Sequence, residues 1–200
     1  MLVINPNETN WSEFLLLNKH SPPEFRQYCW TPEEIEEILK LRFSLEPMTA
    51  GLIEHNVDHA VRKVAKWPIP NDKKNGWIYN KVCQSILSTN SQYWKLDIDF
   101  IETIELLQYS FDPHASIQDH YRRHCDFGGQ VNTRKLSYSA LLTDEYTGGE
   151  LKFFLDTDFV VPKEKGQVAI FPSYLYHQVF PILSGTRVSL VAWASGRQWR

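Results

Sequence analysis

Two histidines and an aspartate are the residues of this chain whose spacing points most directly to chemistry. His124-Cys125-Asp126 is followed by His177, 51 positions beyond Asp126, and then, ten further on, by Arg187, with Ser189 two beyond that. Two imidazoles and one carboxylate suit a divalent transition metal, and three such ligands leave positions of an octahedral ion open to other molecules. Open positions allow reaction rather than mere binding. His124 and Asp126 are two apart, so on a strand they share a face, while Cys125 is expected to point the other way as a small core residue. His177 must then come from a second strand, within residues 174–179. Ligands spread over two strands form a rigid platform.

An isolated His-x-Asp pair arises easily on any polar strand face, and the residues that follow give it weight. Arg187 and Ser189 share one strand face. The stretch Leu183-Ser184-Gly185-Thr186 reads as a turn that brings the arginine strand back beside the ligand strand. A guanidinium held there offers a planar fork to a carboxylate. Together these residues suggest a dicarboxylate that chelates the metal at one end and meets Arg187 at the other.

The elements that must position these groups are readable in outline. Thr31-Pro32-Glu33-Glu34 combines a cap, a proline at the first helical position and a glutamate at the third, so a helix starts there and presents Ile35, Ile38, Leu39 and Leu41. A second amphipathic helix is predicted over 77–90, from Ile78, Val82, Ile86 and Leu87. Both helices are expected to pack on a sheet, with residues 67–76 as connecting structure. Strands are predicted over 103–110, 119–126, 135–143, 151–155, 167–171, 177–181 and 187–193. Glycine-bearing turns at Gly128-Gly129, Gly148-Gly149, Lys165-Gly166 and Ser184-Gly185 divide them, as in an antiparallel sandwich or barrel. Residues 1–200 are read as one domain, in which 1–100 support a β core at 101–200.

Bulk composition narrows the partners. The 200 residues are 42% hydrophobic and 22% charged, which is the balance of a folding chain rather than a disordered one. A net charge of -3 and a pI near 6.2 supply no field for long nucleic acid or an anionic membrane. Cys29, Cys83 and Cys125 are odd in number and form no CxxC, which fits a reducing compartment. The N-terminus lacks the features of a secretion signal and no stretch is long enough to span a bilayer, so a cytoplasmic protein is expected.

Taken in order, several further motifs stand around the metal residues. They are Arg134-Lys135-Leu136-Ser137, Tyr146-Thr147-Gly148-Gly149-Glu150-Leu151, Lys165 through Pro172, and His177 through Leu190. With His124-Cys125-Asp126, this series resembles the 2-oxoglutarate and Fe(II)-dependent dioxygenases. The resemblance is to the prolyl 4-hydroxylase-like branch with its PKHD-type hydroxylases, phage-encoded members included. It covers much of the second half of the chain and touches the first more loosely, through the Thr31-Pro32-Glu33-Glu34 helix start and Gly76-Trp77-Ile78-Tyr79.

The resemblance implies an α+β, mainly β fold: a double-stranded β-helix of jelly-roll or cupin-like form, with N-terminal helices on one sheet. It implies Fe(II) on His124, Asp126 and His177, and 2-oxoglutarate held by Arg187 with Ser189 as a second donor. A tyrosine from an early core strand commonly joins them, and Tyr109 and Tyr121 are the candidates. Tyr121 lies three before His124, so a bulge is needed to bring it to the same face. The implied reaction uses O2 and decarboxylates 2-oxoglutarate to succinate and CO2 while hydroxylating an unactivated C–H bond, with ascorbate as a reductant. Asp126 favours hydroxylation, because related halogenases carry a small residue in its place. A peptidyl or protein side chain, proline foremost, is the implied substrate. The implied location is the cytoplasm, that of the host for a phage-encoded chain, and no oligomeric state is implied.

Other readings are a hydroxylase of a free amino acid or a nucleobase, and a cupin-like metal-binding interaction module without catalysis. Nucleobase enzymes of the AlkB type resemble R-x5-R in the last core strand, whereas Trp193 stands six after Arg187 here. His55 and His59 are spaced for one helix face but lack the glutamate of a zinc protease motif, and His20 reads as loop. His114 and His120 flank the His-x-Asp strand, either as loop residues or as part of a substrate entrance. Lys135 and Ser137 are read either as reaching the co-substrate or the substrate mouth, or as a plain strand edge. Gly148 and Gly149 read as a hairpin turn, and Trp193 as core or pocket wall.

Overall fold

The structure, a computed structural model, describes residues 24–26, 29–49 and 58–198. Helix α1 (Pro32–Lys40) begins where the sequence places it. Thr31 Oγ1 accepts from the Glu34 amide, and the Glu34 carboxylate accepts from the Thr31 amide at 2.8 Å. Helix α2 (Gly76–Tyr93) is longer than expected. The Asp72 carboxylate accepts from the amides of Lys74 and Asn75 just ahead of it.

The described residues form fourteen strands. The first five are β1 (Glu24–Arg26), β2 (Met48–Thr49), β3 (Arg62–Lys63), β4 (Ala65–Pro68) and β5 (Phe100–Ile101). Next come β6 (Glu105–Ser110), β7 (His120–His124), β8 (Arg134–Leu141), β9 (Tyr146–Gly148) and β10 (Leu151–Phe153). The last are β11 (Phe159–Val160), β12 (Val168–Pro172), β13 (His177–Val179) and β14 (Ile182–Ser195). All pair antiparallel, in a nine-stranded sheet of order β1-β12-β8-β14-β6-β4-β2, with β5 and β9 also on β14, and a five-stranded sheet of order β11-β10-β13-β7-β3.

This corrects the expectation of a double-stranded β-helix. Among the described residues neither sheet closes on itself: one path ends at β1 and β2, the other at β11 and β3. These edge strands are two or three residues long, too short to carry pairing around to a further strand, and such brevity is how open sheets blunt their edges. A second correction concerns residues 183–186. They form no turn back to the ligand strand but lie inside the fourteen-residue β14, with a register shift beside Ser184. Gly185 takes φ +72°, and a Cβ there would meet the Glu145 carbonyl oxygen at 2.4 Å, so β9 can approach only a glycine. The arginine strand therefore lies in the nine-stranded sheet, while His177 lies in the other.

Alternation along the nine-stranded sheet separates two cores. Leu106, Leu136, Tyr138, Ala140, Val188, Leu190 and Ala192 join Ile35 and Ile38 of α1 and Ile78, Val82 and Ile86 of α2 in one buried cluster. Trp30 Nε1 donates to the Tyr138 hydroxyl at 2.8 Å inside it, so these two buried polar groups pair with each other. The opposite face contributes Leu107, Tyr109, Leu141, Ala169 and Phe171 to a second cluster, completed by Leu151, Phe153 and Val179 of the five-stranded sheet. The metal-type residues stand in that second layer.

Candidate active site

β7 and β13 are neighbours, with His124 opposite His177. β7 ends at His124, and Asp126 follows immediately, anchored by its amide donating to the Ser173 carbonyl at 2.8 Å. His124, Asp126 and His177 thus bring one ligand atom each to within 4.8 Å of one another. Asp126 Oδ1 lies 3.6 Å from His124 Nε2, and Asp126 Oδ2 lies 3.7 Å from His177 Nε2.

Tautomers follow from the backbone. His124 Nδ1 faces the Arg122 carbonyl at 2.7 Å and His177 Nδ1 faces the Leu175 carbonyl at 2.9 Å, so each Nδ1 carries the proton and donates it. Each Nε2 lone pair is left for a metal. Burial, with His124 beside it, pushes the His177 imidazole down to about 4 despite the opposing Asp126 charge, so it is neutral at physiological pH. For Asp126 burial alone acts upward. The neighbouring imidazoles and a hydrogen bond from Ser137 outweigh it and hold the carboxyl well below the usual range. Two imidazoles beside an ionised carboxylate are a donor set that suits an iron ion, and the residues fit that group.

From sequence, Ser137 reads as a contact to the co-substrate or the substrate mouth, or as a strand edge. It is buried on β8, donates to Asp126 Oδ2 at 2.7 Å, and shares a 3.0 Å hydrogen bond with Ser173. Lys135 does not line the cavity that contains the triad. Cys125 departs from expectation: it is half-buried, lines that cavity, and its thiol donates to the Phe127 carbonyl. The strand ends before it, so the alternation that would turn it into the core no longer applies.

The predicted bulge is present. β13 advances two residues, from His177 to Val179, while β7 advances three, from His124 to Tyr121. Tyr121 and His124 therefore share a face, with rings stacked at 3.5 Å and 18°, and the Arg62 guanidinium lies over the Tyr121 ring, 4.5 Å from its centre. Burial pushes the Tyr121 hydroxyl up to about 12, which keeps it protonated. Tyr109 is fully buried on β6 directly opposite Arg187, whose guanidinium lies 5.5 Å from its ring.

Arg187 is buried, and its Nη1 donates to Ser189 Oγ at 3.0 Å. Among the described residues its Nε has no hydrogen-bond partner. Gly149 makes room for it: φ is +64°, and a Cβ there would lie 3.3 Å from Arg187 Cδ and 2.4 Å from Ile182 Cδ1. The glycine turn thus also packs against the arginine. A cavity of about 250 Å³ holds the triad, Arg187, Ser189, Tyr109, Tyr121 and Trp193 together. Trp193 forms its wall, with the Arg134 guanidinium 4.1 Å over its ring and that arginine paired to Glu102.

The remaining described histidines fall outside the site. His120 is buried and its ring nitrogens face the Gln118 and Ala60 carbonyls, tying β7 to the turn before β3. His114 is exposed in a turn and His59 is exposed, while His55 and His20 lie outside the described residues.

A two-histidine, one-carboxylate face with a buried arginine lining the same cavity defines a non-haem metal oxygenase type of centre. Comparison agrees. The 2OG-Fe(II) oxygenase superfamily profile matches residues 106–195, which hold all three triad residues, Arg187 and Ser189. Among curated proteins none matches it by sequence. Its fold is similar to that of a Pseudomonas putida prolyl-4-hydroxylase, at 18% identity over 92% of this chain and 98% of that one, with a TM-score of 0.72. It is also similar to a Trichoplax adhaerens prolyl hydroxylase solved with a hypoxia inducible factor peptide fragment, at 15% identity over 96% of each chain and a TM-score of 0.74. The described helices include none long and apolar enough to cross a membrane.

Proposed function

We propose that the protein is an Fe(II)- and 2-oxoglutarate-dependent dioxygenase that hydroxylates a peptidyl or protein side chain, with proline the foremost target. The observation that carries this is the convergence of His124, Asp126 and His177 on a cavity whose far wall holds a buried arginine with an unpartnered nitrogen. The peptide-bound Trichoplax adhaerens structure of similar fold supports the choice of substrate.

His124 and His177 would hold Fe(II) through Nε2 and Asp126 through a carboxylate oxygen. Bound there with 2-oxoglutarate and O2, the ion supplies the oxidising chemistry that yields succinate, CO2 and a hydroxylated carbon. Arg187 offers its guanidinium to the distal carboxylate of 2-oxoglutarate, and Ser189 orients that guanidinium through their hydrogen bond. Tyr109 sits where its hydroxyl joins the same carboxylate, protonated because burial raises it. Tyr121 stacks on His124 and fixes the imidazole plane. Trp193 and Tyr121 shield the metal face from water and offer flat surfaces to a substrate ring.

Incubating the protein with Fe(II), ascorbate and 2-oxoglutarate should release succinate slowly, and faster when a proline-bearing peptide gains one oxygen by mass spectrometry. Absence of succinate with iron bound refutes the enzyme reading. Replacing Arg187 with Ala should raise the KM for 2-oxoglutarate by about tenfold or more while iron stays bound. An unchanged KM removes Arg187 from the co-substrate.

A further inference from the structure

A second cavity, of about 470 Å³, adjoins the first at Arg187. The two share Ser139, Leu151 and Arg187, so that arginine stands in the wall between them, and none of the metal ligands reaches the second. Volumes of this size are typical of small-molecule sites. The walls are apolar, with Leu141, Val161, Pro162 and Ala169 prominent. Lys163 donates to the Tyr146 carbonyl and lies 4.7 Å from the Tyr146 ring centre, and Tyr146 and Arg187 line the same cavity. Lys163 is exposed at the lip, where the exposed Glu150 is the opposing charge. Gln167, buried in the same wall, has a side-chain oxygen with no hydrogen-bond partner.

We infer that this second cavity binds a small carboxylic acid with an apolar body, and that its occupancy weakens 2-oxoglutarate binding through Arg187. An aliphatic chain matches the walls. A carboxylate matches a site with one cation at the lip and another at depth, since the first attracts the anion and the second receives it. The guanidinium then has two claimants on opposite sides. An anion on one side reduces what Arg187 offers the other, and the coupling is reciprocal: 2-oxoglutarate must equally weaken the acid. The coupling rests on the co-substrate role proposed for Arg187, whereas the binding does not.

Octanoate is the probe, with octanol as the uncharged control and Val161→Trp and Lys163→Glu as variants. Val161 lines the second cavity and not the first, and Lys163 is exposed, so neither change touches the metal ligands. Anaerobic calorimetric titration of the iron-loaded protein should show octanoate binding, at least tenfold weaker in each variant, and no comparable octanol binding. In succinate assays, saturating octanoate should raise the KM for 2-oxoglutarate severalfold in the wild type but not in Val161→Trp. Equal octanoate binding in wild type and both variants would place the acid in the first cavity and overturn the site. Binding lost in the variants, with no effect on the KM in the wild type, would overturn the coupling. Should the protein make no succinate, the calorimetric comparison still decides the site.

Discussion

The nine-stranded sheet has two faces of opposite design, and β14 displays both. Its even positions Val188, Leu190, Ala192 and Ala194 are fully buried among apolar neighbours from α1 and α2. Its odd positions Arg187, Ser189, Val191 and Trp193 line the metal-bearing cavity. One face is covered by apolar side chains that are almost wholly buried. The other gives up filling and holds buried polar groups. Folding energy is thus concentrated on the helix side, which lets the opposite side carry cavities and a desolvated carboxylate.

Substitutions on the two faces should fail in different ways. The largest effect is expected from His177→Ala, which should reduce succinate formation to background and weaken iron binding, while the circular dichroism spectrum stays that of the folded protein. Retained turnover would place the metal elsewhere. Leu190→Ala, one layer away on the dry face, should cost about 2–5 kcal/mol in denaturant unfolding, with the iron affinity of the remaining folded protein unchanged. If Leu190→Ala altered iron affinity without loss of stability, the division between faces would not hold.

A pH experiment sharpens the contrast. The folded His177 imidazole titrates at about 4, below the ordinary 6.5, so between those values the unfolded chain takes up a proton that the folded one refuses. Metal-free protein should therefore lose stability as pH falls from 6.5 to 4, by on the order of 3 kcal/mol, and His177→Gln should remove that slope. Asp126, held low, keeps its contribution throughout this window. The smallest effect is expected from Ser137→Ala. It removes the donor to Asp126 and should weaken iron by about 10–100-fold in an Fe(II) titration, with Tm shifted by only a few degrees.

Local chemistry made part of this legible in the sequence. The Thr31 capping box, the two-residue spacing of His124 and Asp126, and the bulge that Tyr121 requires are all decided within a few residues, and each appears in the structure. What depended on distant pairing was not legible. Ser184-Gly185 has the composition of a turn, yet the approach of β9 keeps it within one long strand. That misreading put the arginine strand beside the ligand strand, when the two belong to different sheets. The closed β-helix failed for a related reason: alternation marks strands but says nothing about where a two-residue edge strand stops pairing. Ser137 was ambiguous because its partner, Asp126, meets it only after an intervening loop and a change of sheet.

The position of β14 has a consequence for how the chain comes off the ribosome. It pairs with β5, β6, β8 and β9, and all four are synthesised before it. Until it emerges, β6 and β8 each present an open edge, and the long separations involved make their closure slow. A nascent chain stalled before residue 187 would already contain His124, Asp126 and His177, but with a gap in the sheet that backs them. Such truncated chains should depend on chaperones and should associate through their unpaired edges.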